Sequence, residues 1–242
     1  MNSILSVSEI FTSIDGEVNR WGQGCFSTFI RLAGCNIRCS YCDTPQALAF
    51  NQGQPMTVSA VVEAVQATGC PKVTITGGEP LFHPNFPVLL EALLTEGLRV
   101  SVETNGTILP PPVYDEVSEN PLLDWVFDYK LPSSGMALHR LNDEVFPLLL
   151  PPRSWIKFVI STEEDFTAAM AMVDYLISDF GFDGEFGPRL AFSPCMDTPG
   201  SITPEDLVSR LIDRKMFHVV VNCQIHKFLF QGGEGFRKVI GQ

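Results

Sequence analysis

Residues 34–44 read Gly-Cys-Asn-Ile-Arg-Cys-Ser-Tyr-Cys-Asp-Thr. Cys35, Cys39 and Cys42 form a C-x3-C-x2-C array, compact enough for three thiolates to converge on one site. A tetrahedral zinc site or an ordinary four-iron cluster takes four protein ligands, so one vertex is left over. A distant Cys25, Cys70, Cys195 or Cys223, or a histidine, would close it as structural zinc. Otherwise something other than the protein fills it.

Outward from this loop, strand-like and helix-like segments alternate. Strand-like runs lie at 25–33, 72–76, 98–104, 123–130, 154–161, 188–193 and 217–223, and helical patterns at 57–68, 84–96, 162–180 and 204–215. Thr57 suits an N-cap, the acidic Glu163, Glu164 and Asp165 suit a helix start, and Pro204 after Thr203 suits a first turn. Region 107–122 is proline-rich and carries no clear pattern. Strands separated by helices imply right-handed crossovers and a parallel sheet. About six βα units fit an incomplete TIM-like (βα)6-type barrel, an α/β fold, better than a closed eight-stranded one. An open doubly wound sheet is the alternative.

A barrel places its chemistry at the C-terminal ends of the strands. Unusual residues recur there: Gly34-Cys35, Thr76-Gly77-Gly78-Glu79-Pro80, Glu103-Thr104-Asn105-Gly106, Asp128-Tyr129-Lys130 and Ser193-Pro194. The last strand leads into Gln224-Ile225-His226-Lys227. Arg31 is a charge on an otherwise apolar strand and needs a partner. A ligand carboxylate would serve, as would an internal pair with Glu17 or Glu79. Lys157 alternates with Trp155 and Val159, which leaves its face unassigned.

Apolar residues make up 45% of the 242 and charged residues 18%, so one packed domain over 1–242 is expected. The net charge of −12 argues against nucleic acid or an anionic membrane as main partner. No apolar run reaches a membrane span, and Met1–Phe11 lacks a signal-peptide pattern. A cytoplasmic protein is expected, in which seven cysteines mean metal binding or buried thiols.

The C-x3-C-x2-C array, the aromatic Tyr41 before its last cysteine and the downstream Gly-Gly-Glu-Pro together resemble the radical S-adenosylmethionine superfamily. The resemblance implies a [4Fe–4S] cluster on Cys35, Cys39 and Cys42. Its open iron is chelated by S-adenosylmethionine, from which one electron releases a 5′-deoxyadenosyl radical. It also implies cofactor contacts near Tyr41 and at Gly77, Gly78 and Glu79, with the glycines admitting the ligand to the backbone. Glu103 and Asn105, at a strand end, are expected to bond ribose hydroxyls or the methionine carboxylate. For Asn105 a plain Asn-Gly turn is an equal reading. Lys130 and Ser133 are expected on the cofactor side. A flavodoxin or ferredoxin is the expected electron donor.

Further stretches narrow the class: Phe-Thr-Ser-Ile-Asp-Gly-Glu at 11–17, ahead of the first strand, then Arg31, Asp43-Thr44, Pro132–Met136 and 224–227. Their order is similar to the 7-carboxy-7-deazaguanine synthase family over about residues 8–230. That family contracts the ring of 6-carboxy-5,6,7,8-tetrahydropterin with loss of ammonia, and uses Mg2+. The resemblance implies Mg2+ at Thr44. Substrate contacts would come from Asp15, Gly16, Glu17, Arg31, Thr76 and His226, and the chain would form a homodimer. Three departures stand out. Asp15 replaces the usual Gln, Val18 the usual Gly, and Asp128-Tyr129-Lys130 a Ser-Pro-Lys. The glycine-rich tail 231–242 is expected to be a lid or disordered. An activase that puts a glycyl radical on a partner protein is the competing reading.

Overall fold

A computed structural model describes residues 3–110, 120–141, 143, 146, 150, 154–182, 187–195 and 200–230, with the backbone of 237–240. The expected strands form as β2 (Phe26–Leu32), β4 (Lys72–Gly77), β5 (Arg99–Thr104), β6 (Leu123–Tyr129), β7 (Trp155–Ile160) and β8 (Arg189–Pro194). The expected helices form as α1 (Val58–Gln66), α2 (Phe86–Thr95), α3 (Glu163–Phe180) and α4 (Pro204–Asp213). The run at 217–223 shortens to β9 (Val220–Val221), and α5 (Ile225–Phe230) follows it.

Neighbouring strands are parallel from β2 through β9, in the order β2-β4-β5-β6-β7-β8-β9. Among the described residues the sheet stays open, so the architecture is a partial barrel.

The N-terminal edge departs from expectation. Residues 11–14 do not precede the first strand. They end a long β1 (Ile4–Ile14), antiparallel to β2. β1 also pairs with β3 (Gln54–Thr57) and with β10 (Arg237–Ile240). Part of the tail read as a lid or as disordered is thus an edge strand, while 231–236 and 241–242 lie outside the described residues, as does 111–119. The Ser- and Glu-bearing sequence of β1 hides a strand whose Val7 and Ile10 are fully buried.

Period-two alternation then decides what lies where. Val73, Ile75, Val100, Val102, Phe127, Ile156, Phe158 and Phe192 join one apolar core with the helices. The intervening residues, among them Arg31, Thr76, Glu103, Asp128, Lys157 and Ser193, line the concave face.

One helix start is tied directly to the cysteine loop. Thr162 and Asp165 form a capping box on α3. Asp165, fully buried, accepts from the amides of Ser161 (3.0 Å), Thr162 (3.0 Å) and Ser133 (2.9 Å). In turn Ser40 donates through Oγ to the Ser133 carbonyl (2.6 Å) and through its amide to that of Ser134 (3.0 Å). Asp165→Ala strands three donors, so a loss of roughly 2–4 kcal/mol in urea unfolding is expected. Faster amide exchange at Ser40 should accompany it, and unchanged exchange there would break the proposed link.

Candidate active site

The concave face opens into one cavity of about 670 Å³ at the C-terminal ends of the parallel strands. Cys35, Cys39 and Cys42 line one side of it. Their loop hangs from the chain behind it: the Gly34 amide donates to the Ala47 carbonyl (2.8 Å) and the Cys35 amide to that of Leu48 (3.0 Å). Asn105 Nδ2 reaches Cys35 Sγ at 3.8 Å and Asn36 Oδ1 at 2.9 Å. Burial pushes both the Cys35 and Cys39 thiols up, with Lys130 working against it at Cys39. Among the described residues no three His, Cys, Asp or Glu side chains are drawn together as a finished metal site. The donor set still suits a cluster with one open iron, since three thiols face one cavity beside an amide donor.

Tyr41 lines the same side, with the Lys130 ammonium 5.8 Å from its ring centroid and its own hydroxyl buried without a partner among the described residues. Lys130 pairs with Asp128 at 2.9 Å. Burial works against the Lys130 charge, but Asp128 and Cys39 hold its pKa up at about 12. Asp128 also faces Lys157 at 3.7 Å, while Tyr129 turns away and donates to Asp143 (2.7 Å).

Four expected cofactor positions have other work here. Gly77 (φ +141°) and Gly78 line the cavity, yet their freedom serves backbone packing. A Cβ on either would stand 2.1 Å from the Leu32 carbonyl or 2.3 Å from that of Gly34. Glu79 is fully buried outside the cavity lining and accepts from Leu81 N (2.9 Å), Thr104 Oγ1 (2.8 Å) and Asn105 N (2.6 Å). It clamps the end of β4 to that of β5. Ser133 is also absent from the lining and anchors Ser40 instead.

The opposite side carries the expected substrate residues. Arg31 Nε bonds Glu9 Oε1 at 2.8 Å, so its internal partner is neither Glu17 nor Glu79. Its guanidinium lies 5.6 Å from the Phe11 ring centroid, and Phe11 stacks on Phe29 at 4.9 Å. Glu17 Oε2 accepts from Asn222 Nδ2 (2.5 Å) and pairs with Lys157 (3.3 Å), while Oε1 accepts from Gln224 Nε2 (2.7 Å). Lys157 therefore points inward. Burial opposes its charge, and Glu17, Asp128 and Glu103 together raise its pKa. Gly16 lets the His226 ring close in, since a Cβ there would lie 2.2 Å from Nδ1. Burial lowers the His226 pKa and so favours the neutral ring. The Thr44 hydroxyl donates to Asp43 Oδ1 at 2.8 Å on the cavity lip.

Two carboxylates change place. Asp15 lines the cavity, but the chain itself engages both its oxygens: Oδ2 by Lys72 (2.5 Å) and Thr74 (2.9 Å), Oδ1 by the Glu17 amide (3.0 Å). Glu103, expected beside the cofactor, bonds Thr76 and feels Asp15, Glu17 and Lys157. It stands among Thr76, Glu17 and Lys157. Glu9, Lys72 and Asn222 escaped the sequence reading, because only strand pairing and loop closure bring them here.

A family model described as the radical SAM superfamily matches residues 29–127. A curated 7-carboxy-7-deazaguanine synthase of Clostridium acetobutylicum is 35% identical over 226 residues, 93% of this chain and 95% of the relative. One of Chlorobaculum tepidum is 35% identical over 228 residues, 93% and 94% of the two chains. Among solved structures, QueE from Escherichia coli shares the fold with a TM-score of 0.65 at 19% identity, over 91% of this chain and 93% of that one. Streptococcus suis SuiB bound to S-adenosylmethionine does so at 0.51 and 13% identity, over 78% and 44%.

Burial, then Asp15 and Glu17, push the Glu103 pKa from 4.5 up to about 7. Between those values the folded chain holds a proton that the unfolded chain has released, so this carboxyl's share of stability falls as pH rises. Glu103→Gln removes that titration and leaves Glu79, whose pKa burial likewise pushes up to about 7. From about pH 5 to about pH 7.5 the urea midpoint of the variant should fall less than that of the wild type. Equal falls would show that Glu103 does not titrate in this window.

Proposed function

The chain belongs to the 7-carboxy-7-deazaguanine synthase family, and from that premise we propose how its own residues run the ring contraction of 6-carboxy-5,6,7,8-tetrahydropterin. The observation that carries the reading is that one cavity of about 670 Å³ is shared by three cysteine thiols and by Glu17, Arg31, Lys157 and His226. A radical formed at one end must meet a C–H bond held close by, so cofactor and substrate need a common chamber closed to water. When bound, a [4Fe–4S] cluster and S-adenosylmethionine supply a 5′-deoxyadenosyl radical, chemistry that no side chain provides.

On the cofactor side Cys35, Cys39 and Cys42 hold the cluster, and the Asn105 amide beside Cys35 stabilises thiolate charge. Tyr41, Lys130, Gly77 and Gly78 wall the space next to it. Asp128, between Lys130 and Lys157, would offer a carboxylate acceptor on the cofactor side. A reduced flavodoxin or ferredoxin would supply the electron.

On the substrate side Glu9 fixes Arg31 through Nε, which leaves the terminal guanidinium nitrogens for the substrate carboxylate. The stacked Phe11 and Phe29 give a flat ligand an apolar wall. Glu17 accepts from the amino and ring N–H groups of the pterin, with Gln224 sharing or yielding its place. Glu103, near pKa 7, both donates and accepts at neutral pH. Thr76 and neutral His226 complete this edge. We extend the proposal to Mg2+ at Thr44. Its hydroxyl and the Asp43 carboxylate are a pair of hard oxygen donors close to Arg31. One continuous sheet supports reading 1–242 as a single domain.

Anaerobic turnover with the carboxytetrahydropterin, S-adenosylmethionine, Mg2+ and a reductant should yield 7-carboxy-7-deazaguanine, with S-adenosylmethionine regenerated. Deoxyadenosine accumulating without ring-contracted product would overturn the reading. Arg31→Ala should raise KM for the pterin about 100-fold, the worth of a charge-assisted hydrogen bond of roughly 2–3 kcal/mol. Its cluster absorption should stay intact, and loss of that absorption would contradict the assignment. Thr44→Ala should change the Mg2+ dependence, so an identical Mg2+ titration counts against that site.

A further inference from the structure

We propose that the buried Asp15–Lys72 pair is a positioning device for Glu17 and thereby sets how tightly the pterin edge is held; this rests on Glu17 receiving the substrate as proposed above. Lys72 opens β4, at the end of the strand away from Cys35, Cys39 and Cys42, and is 2% exposed. Asp15 is 1% exposed. A charge pair in such a place carries a desolvation cost and is weak evidence for stability. Its hydrogen bonds point to another use.

The chain of contacts runs in one direction. Lys72 Nζ donates to Asp15 Oδ2 at 2.5 Å and to Thr74 Oγ1 at 2.8 Å, and Thr74 Oγ1 donates to the same Oδ2 at 2.9 Å. A third, longer bond from Nζ reaches Ser27 Oγ at 3.4 Å. These donors fix the plane of the Asp15 carboxylate, and that plane aims Oδ1 at the Glu17 amide, 3.0 Å away. The flanking carbonyls are pinned as well: Gly16 by Gln23 Nε2 (2.6 Å) and Glu17 by Asn19 Nδ2 (3.1 Å). Both peptide groups around the Glu17 Cα are therefore held from behind, with Lys72 as the anchor. Its ammonium also lies 5.7 Å from the ring centroid of Trp21, on the same loop. The Glu17 side chain, free of this duty, is presented to Lys157, Asn222 and Gln224 at the cavity wall.

Breaking one partner of a buried pair leaves an uncompensated charge, whereas removing both charges is far better tolerated. The test is a double-mutant cycle with Lys72→Met, Asp15→Asn and the two combined. Three readouts are taken: urea stability, amide exchange at Glu17 in the cluster-free protein, and Kd values for the carboxytetrahydropterin and for S-adenosylmethionine in the reconstituted enzyme. Lys72→Met should speed Glu17 exchange and raise the pterin Kd, each by about tenfold or more, while the S-adenosylmethionine Kd stays within about twofold. The combined variant should regain much of the urea stability that either single change costs, while Glu17 exchange stays fast and the pterin Kd stays raised. Thr74→Val, which changes no charge, should raise the pterin Kd by about threefold and keeps the test open if a single charge variant fails to fold. Unchanged Glu17 exchange and pterin Kd in the folded variants would overturn the inference, and so would an equal loss for both ligands. Failure of the wild type to bind the pterin strikes the functional reading alone, because Glu17 exchange still reports on the positioning.

Discussion

Charge on the concave face of the sheet must be balanced within the chain, and most of the site follows from how that is done. Strand alternation sends Arg31, Lys72, Glu103, Asp128 and Lys157 inward, where unpaired charge costs several kcal/mol. Each has its answer: Glu9 for Arg31, Asp15 for Lys72, Thr76 and Lys157 for Glu103, and Lys130 with Lys157 for Asp128. The partners come from β1, from the loop after it and from neighbouring strands. A cavity built this way is polar, yet its side chains have little freedom to wander.

The cysteine side is held by backbone. Gly77 and Gly78 let the end of β4 press against Leu32 and Gly34, at distances that no side chain would permit. Glu79 ties that turn to β5, and Asp165 ties the start of α3 to the 132–134 turn and so to Ser40. The loop offering three thiols is thus suspended from several rigid elements. Placement of a reactive group by regular structure is more precise than placement by a free loop.

Three expected cofactor contacts stand elsewhere. Glu79 and Ser133 sit in stretches that suggest direct cofactor contact, yet both lie outside the cavity lining and hold its walls together. Glu103 and Asn105, two positions apart at the end of β5, both line the cavity but meet different neighbours. Asn105 meets Cys35, whereas Glu103 meets Thr76 and Lys157. Sequence proximity to a motif does not say which end of a cavity a side chain serves.

By itself the sequence determined the local facts: three thiols short of a ligand, a Gly-Gly-Glu-Pro turn, and strands whose alternation marks an inner and an outer face. Covalent spacing and backbone period set these, and both can be read along the chain. Only the tertiary structure decided which charges meet. Asp15 and Lys72 stand 57 positions apart, and Glu17 and Asn222 stand 205 apart. β1, which brings Glu9 to Arg31, did not announce itself as a strand. Such pairings depend on strand register and on the closure of distant loops, because an ion pair is chosen by distance in space, and the order of residues does not contain that distance.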